Sequence, residues 1–151
     1  MKKEAFERIV TKTFRGLESR HGFKKGEVVF TKQNCSVQYV NATTIVTVHY
    51  EYGGEPWVAI TDRKNAENRS TLGWLLVELG IIKEPSPAEA FRSFNLSEKE
   101  FTYILERECQ HLIEHGMDFI DGDFSIMPVL KQRAEKYALD CDRYFAIYRT
   151  K

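Results

Sequence analysis

A chain of 151 residues with 42% apolar and 13% aromatic side chains is sized for one domain, residues 1–151, able to bury roughly two thirds of its unfolded surface around a single core. Its 22 Lys/Arg match its 22 Asp/Glu, so no overall field gathers nucleic acid or an anionic membrane. No apolar run approaches the ~20 residues of a membrane span, and neither nucleic acid nor membrane is an expected partner.

The N-terminal stretch MKKEAFERIV begins with lysines, but Glu4, Glu7 and Arg8 interrupt what would be the apolar region of an export signal, so a cytoplasmic location is expected. The same segment sets Phe6, Ile9, Val10, Phe14 and Leu17 at helical spacing, which predicts one helix from Lys3 to Arg20, stopped at Gly22. Next come EVVFTK, CSVQYVN, TIVTVHYEY and WVAITD, rich in Val, Ile, Thr and Tyr and separated by turn residues, which predict a four-stranded antiparallel meander. In the third of these strands Val46, Val48, Tyr50 and Tyr52 share one face, while Ile45, Thr47, His49 and Glu51 share the other. One face is much the more apolar, as expected when helices cover a single side.

RKNAENRS reads as a polar loop, after which Ser70 caps a helix with a stripe of Leu72, Leu75, Leu76 and Leu79 ended by Gly80. In PSPAEAF, Ser86 is a cap, Pro87 the first helical residue and Glu89 the partner that closes a capping box. Ser97 and Glu100 repeat the device, with Leu96 and Phe101 as a hydrophobic staple, and that helix runs to His115 and stops at Gly116. After the turn DGD, Leu130, Ala134, Tyr137, Cys141, Tyr144 and Tyr148 alternate at steps of four and three, a long amphipathic helix starting near Ser125 with Pro128 in its first turn. The expected fold is therefore α+β: an N-terminal helix, a four-stranded antiparallel meander, then four C-terminal helices packed on one face of the sheet.

Residues 1–32 hold nine Lys/Arg against four Asp/Glu, and residues 96–126 hold two against eight. Two segments of opposite sign can attract each other or a partner. Cys35, Cys109 and Cys141 are odd in number, far apart and without a C-x-x-C pair, which suits buried thiols in a reducing compartment rather than disulfides or a structural zinc site. Nucleophilic catalysis has no G-x-S-x-G elbow or cysteine signature behind it, although His21 or His49 could lie near Cys35. YGGEPW reads as a hairpin turn, not a phosphate loop. Asp118, Asp121 and Asp123 of DFIDGD lack the alternation and the twelfth-position glutamate of a calcium loop.

HLIEH, residues 111–115, resembles the zinc helix of the inverted zincin peptidases, in which two histidines one turn apart hold the metal and the glutamate activates water. The resemblance would give those roles to His111, His115 and Glu114. It also implies a downstream glutamate ligand, and Glu135 is the sole later glutamate. Histidines in a last turn have a simpler reading, since the partial negative end of the helix favours them when protonated.

Over residues 1–80 the chain resembles a loose group of small, uncharacterised bacterial proteins that includes immunity proteins of toxin systems. The features are the helix ending in Gly22 and Phe23, the strands VQYVN, IVTVHYEY and WVAI, and the serine-started helix STLGWLLVELG. They are core and turn positions, so no functional residue is carried over; the resemblance implies a noncatalytic cytoplasmic binder of a cognate toxin. The leading expectation is thus an immunity-like protein that neutralises its partner by occlusion, without a cofactor or metal. Trp57, Glu106, Glu114, Asp118, Asp121 and Asp123 are its candidate contact residues, Trp57 as an aromatic anchor and the carboxylates as a steering surface. The alternative is a metal-dependent hydrolase built on His111 and His115, and a third possibility is a homo-oligomer using the sheet edge or the C-terminal tyrosines.

Overall fold

The computed structural model of the protein describes residues 2–90 and 94–149, with side chains through Ile147 in the second stretch. The expected contribution of Tyr148 to the last helix's apolar stripe therefore lies outside the described residues.

The first apolar stripe folds as two helices rather than one, α1 (Lys3–Thr13) and α2 (Arg15–Arg20), joined at Phe14. Two local causes act together. The Thr13 hydroxyl donates back to the Ile9 carbonyl at 2.8 Å, a bond that bends helices, and Gly16 weakens the turn that follows. The stripe survives the joint, because Phe6, Val10, Phe14 and Leu17 are all essentially fully buried.

The sheet has five antiparallel strands in sequential order: β1 (Lys24–Phe30), β2 (Asn34–Val40), β3 (Thr44–Glu51), β4 (Trp57–Asp62) and β5 (Asn65–Thr71). The fifth corrects the four-stranded expectation. Its sequence, NAENRST, has the polar composition of a loop, yet Thr71, Ser70 and Arg69 pair with Ala59, Ile60 and Thr61 of β4. Polar side chains are what a strand at the rim of a sheet tolerates, and backbone pairing satisfies it whatever the side chains are. The helix after it is accordingly shorter than expected. In α3 (Leu72–Glu78) the N-cap is Thr71, with no side-chain cap bond, so Ser70 is a strand residue and not a cap. Leu72, Leu75 and Leu76 are buried as expected, whereas Leu79 stands 48% exposed beyond the last turn.

Both capping boxes form. In α4 (Pro87–Ala90) the Ser86 hydroxyl accepts from the Glu89 N–H, and the Glu89 carboxylate accepts from the Ser86 N–H. In α5 (Glu98–His115) Ser97 and Glu100 make the same reciprocal pair, Phe101 is fully buried, Leu96 packs on the core, and Gly116 is the C-cap. A short α6 (Met117–Ile120) follows where only a turn was expected, and α7 (Met127–Arg149) starts just after the expected Ser125 with Pro128 in its first turn. Among the described residues, five helices therefore follow the sheet rather than four.

Val37 and Tyr39 of β2, Val46, Val48 and Tyr50 of β3, and Val58 and Ile60 of β4 point to one side and form a single apolar core with α1, α3, α5 and α6. Aromatic rings tie the layers: Phe6 of α1 and Phe101 of α5 both meet Tyr50, and Phe14 stacks on Tyr39. The last helix departs from the one-face arrangement. It runs along β5, burying Met127 and Leu130, while Lys131, Ala134 and Glu135 flank the other side of the sheet. No described helix is long and apolar enough to cross a membrane.

Candidate functional site

The meander gives its second face no helical cover comparable to the first. Strand alternation brings Ser36, Gln38, Ile45, Thr47, His49, Trp57, Ala59 and Thr61 to it. The short 52–56 connection sets the register in which His49 pairs directly with Trp57. Their rings stack with centroids 4.2 Å apart and planes 20° apart, while Trp57 remains 40% exposed. The face is the floor of a groove of about 840 Å³ with walls from β5, Trp74 and α7. Arg69 and Lys131 stand on these walls beside Glu67 and Glu135, so the charged rim carries both signs. Burial, followed by the nearby Arg69 guanidinium, holds the His49 imidazole below its ordinary value, which keeps it neutral against the indole.

A second groove, of about 950 Å³, runs between α1 and α5. Ile9, Cys109 and Ile113 form its apolar floor, with Tyr103 63% exposed at its border. Glu98, Glu106 and Glu114 line it opposite Arg8 and Lys12, and Arg8 reaches Glu98 at 2.7 Å. The basic and acidic segments of the sequence thus meet within the molecule. That weakens the acidic segment as a free steering surface, since cations of α1 share its groove.

The candidate contact residues do not converge. Trp57 belongs to the uncovered sheet face, whereas Glu106 and Glu114 belong to the α1–α5 groove on the helical side. Asp118 lies in α6, Asp121 caps its C-terminus, and the Asp123 carboxylate accepts from the Ser125 N–H at 3.0 Å, a turn bond that holds its pKa below the usual range. DFIDGD is therefore most of α6 followed by the turn that leads toward α7. Among the described residues, the His/Cys/Asp/Glu side chains grouped closely enough for a metal are His111, Glu114 and His115, whose ligand atoms all lie within 4.8 Å. Glu135 does not join them; it stands on the rim of the sheet groove.

The Cys35 and Cys109 thiols are unactivated. Burial raises Cys35 despite a hydrogen bond with Tyr52 that acts the other way, and burial pushes Cys109 up to about 11. Cys35 pairs with Tyr50 and faces the core, whereas His49 faces the opposite side, and His21 is the C-cap of α2. No cysteine–histidine pair results from these placements. All three cysteines are free.

Two features went unread in the sequence. The His49–Trp57 stack follows from counting back across the 52–56 turn. Glu108 lies half-buried on α5 beside the core stripe of Leu105 and Leu112, and burial, opposed by Arg107 and reinforced by Glu55, pushes it up to about 7. Comparisons with protein-family models, with curated proteins and with solved structures yield no match for this chain.

Proposed function

We propose that the protein is a noncatalytic binding module, immunity-like in mode of action, that engages a protein partner with the uncovered face of its sheet and works by occlusion. The observation that carries this reading is the half-exposed Trp57 held flat against neutral His49 on a rigid floor. An amphipathic ring already fixed by its neighbour loses little entropy on burial, which is why such rings anchor interfaces. Thr47, Thr61, Gln38 and Ser36 around it offer hydrogen bonds, and the mixed-sign rim of Arg69, Lys131, Glu67 and Glu135 fits the mixed polar surface of a protein. The partner in this reading is a cognate toxin of a bacterial cytoplasm. The hydrolase alternative has less support: among the described residues no fourth His, Cys, Asp or Glu joins the histidines, and Glu114 cannot be both the third ligand and the base that activates water.

The test is co-purification and titration calorimetry with the product of a neighbouring gene. Trp57→Ala is expected to weaken the complex at least tenfold, consistent with the loss of an anchor residue, while Glu106→Lys and Glu114→Lys leave it unchanged. A complex insensitive to Trp57→Ala but disrupted by the charge reversals on α5 would place the footprint on the helical side and end this reading.

A further inference from the structure

His111 and His115 stand one turn apart at the C-terminal end of α5, and the Glu114 carboxylate completes a set of three ligand atoms within 4.8 Å of one another. The two imidazoles have centroids 5.9 Å apart and planes 32° apart, and His115 Nε2 lies 3.8 Å from Glu114 Oε2. Around a tetrahedral ion with bonds of about 2.1 Å, ligand atoms are roughly 3.4 Å apart. The group is therefore open by no more than a side-chain rotation can close, and two of its members have that freedom, being 27% and 50% exposed.

Two further observations favour a cation here. His111 Nδ1 is enclosed and has no hydrogen-bond partner, so the ring is not a satisfied structural histidine, and a buried polar atom left unmade is costly. The last turn of the 18-residue α5, ending at Gly116, carries the partial negative charge of a helix C-terminus, and Asp118 follows within a turn.

We infer that His111, Glu114 and His115 form a binding site for a divalent transition cation of the zinc class, with water filling the rest of the coordination shell. Two imidazoles and one carboxylate suit zinc, nickel or copper; magnesium and calcium require six or more oxygens, which this group does not offer. The ion would fasten the α5 terminus at its junction with α6. It is a structural or regulatory site, since Glu114 is used as a ligand, and it stands independently of the sheet-face interface.

The experiment is calorimetric titration of chelator-treated full-length protein with zinc chloride, alongside thermal denaturation at increasing zinc. One zinc per chain is expected, with a melting temperature that rises with zinc concentration because the ion binds the folded state. His115→Ala, at a partly buried side chain, and Glu114→Gln, at an exposed one, should each weaken binding at least tenfold, the range seen even when supporting residues of a metal site are lost. Cys109→Ser should bind as the parent does, and magnesium and calcium should give no heat. Absence of zinc binding, or binding of undiminished strength in His115→Ala and Glu114→Gln with circular dichroism unchanged, overturns the assignment.

Discussion

His49 and Trp57 occupy directly paired positions on β3 and β4, and their rings lie 4.2 Å apart and nearly parallel on the side of the sheet away from the core. Burial and Arg69 lower the imidazole's pKa from its ordinary 6.5. The unfolded chain thus takes up this proton more readily than the folded one. The stability tied to a neutral His49 is complete above pH 6.5 and is lost as pH falls through the lower folded value. A protonated imidazole against an indole quenches its emission, so in a Trp74→Phe background the Trp57 fluorescence should fall on acidification with a midpoint below 6.5. His49→Gln should abolish that transition; a midpoint above the ordinary imidazole value would contradict the stacked, partly desolvated geometry.

Glu108 titrates in the opposite sense. Its folded pKa, raised from 4.5 to about 7, means the folded state holds the proton more tightly. Its contribution is favourable below the unfolded value and is lost as pH rises through about 7, where a half-buried carboxylate must ionise beside the stripe of Leu105 and Leu112. Glu108→Gln removes that ionisation and should stabilise the protein by about 3 kcal/mol at pH 8, from the size of the shift. The gain should shrink toward pH 5. Urea denaturation at both pH values measures it, and an equal effect at the two would refute the titration.

What the sequence made legible was set by side-chain signals, and what it hid was set by backbone pairing. The capping boxes at Ser86 and Ser97 are local chemistry with fixed spacing, and both formed where the residues placed them. The strands β1 to β4 announce themselves by β-branched and aromatic residues, but β5 is held by its ladder to β4 with side chains no strand propensity would select. The break at Phe14 is invisible to apolar spacing because the stripe continues through it. The site divides likewise: Trp57 was readable as an aromatic beside a turn, while its partner His49 and the Arg69 and Lys131 rim depend on register and on the path of α7. His111, Glu114 and His115 could be grouped from spacing alone, since one helix carries all three.

Gly116 is required for contact rather than for conformation. Its φ of −100° is open to any residue, but a Cβ there would lie 2.7 Å from the Leu112 carbonyl oxygen and 2.8 Å from Leu112 Cδ1. The backbone atom cannot yield without distorting the last turn of α5. Gly116→Ala should therefore cost about 1–3 kcal/mol, the usual range for overpacking a filled site. Gly16→Ala, where the added carbon meets nothing within 4 Å, is the control and should be neutral or stabilising in chemical denaturation.

The β2–β3 hairpin holds α6 through side-chain hydrogen bonds to its last carbonyls. Thr44 is fully buried at the start of β3, and its hydroxyl donates to the Phe119 carbonyl. Asn41 Nδ2 donates to the neighbouring Ile120 carbonyl at 3.1 Å, while Asn41 Oδ1 accepts from the Thr43 and Thr44 N–H groups. The Asn41 bond serves the Ile120 carbonyl at the end of a four-residue helix, whereas the Phe119 carbonyl accepts from the Gly122 N–H as well as from Thr44. Thr44→Val keeps the shape and removes the donor, which leaves the Phe119 carbonyl without this bond beside a side chain that is only 2% exposed. A loss of about 0.5–1.5 kcal/mol is expected, the net worth of one hydrogen bond, because the Phe119 carbonyl still accepts from the Gly122 N–H at 3.0 Å. It should appear as a lower denaturation midpoint with an unchanged slope, together with faster amide exchange in residues 117–123. Thr43→Val, which removes a longer 3.4 Å bond to Ile120 from a less buried position, should cost less; a larger loss at Thr43 than at Thr44 would mean that the hairpin loop, and not the buried hydroxyl, fastens α6 to the sheet.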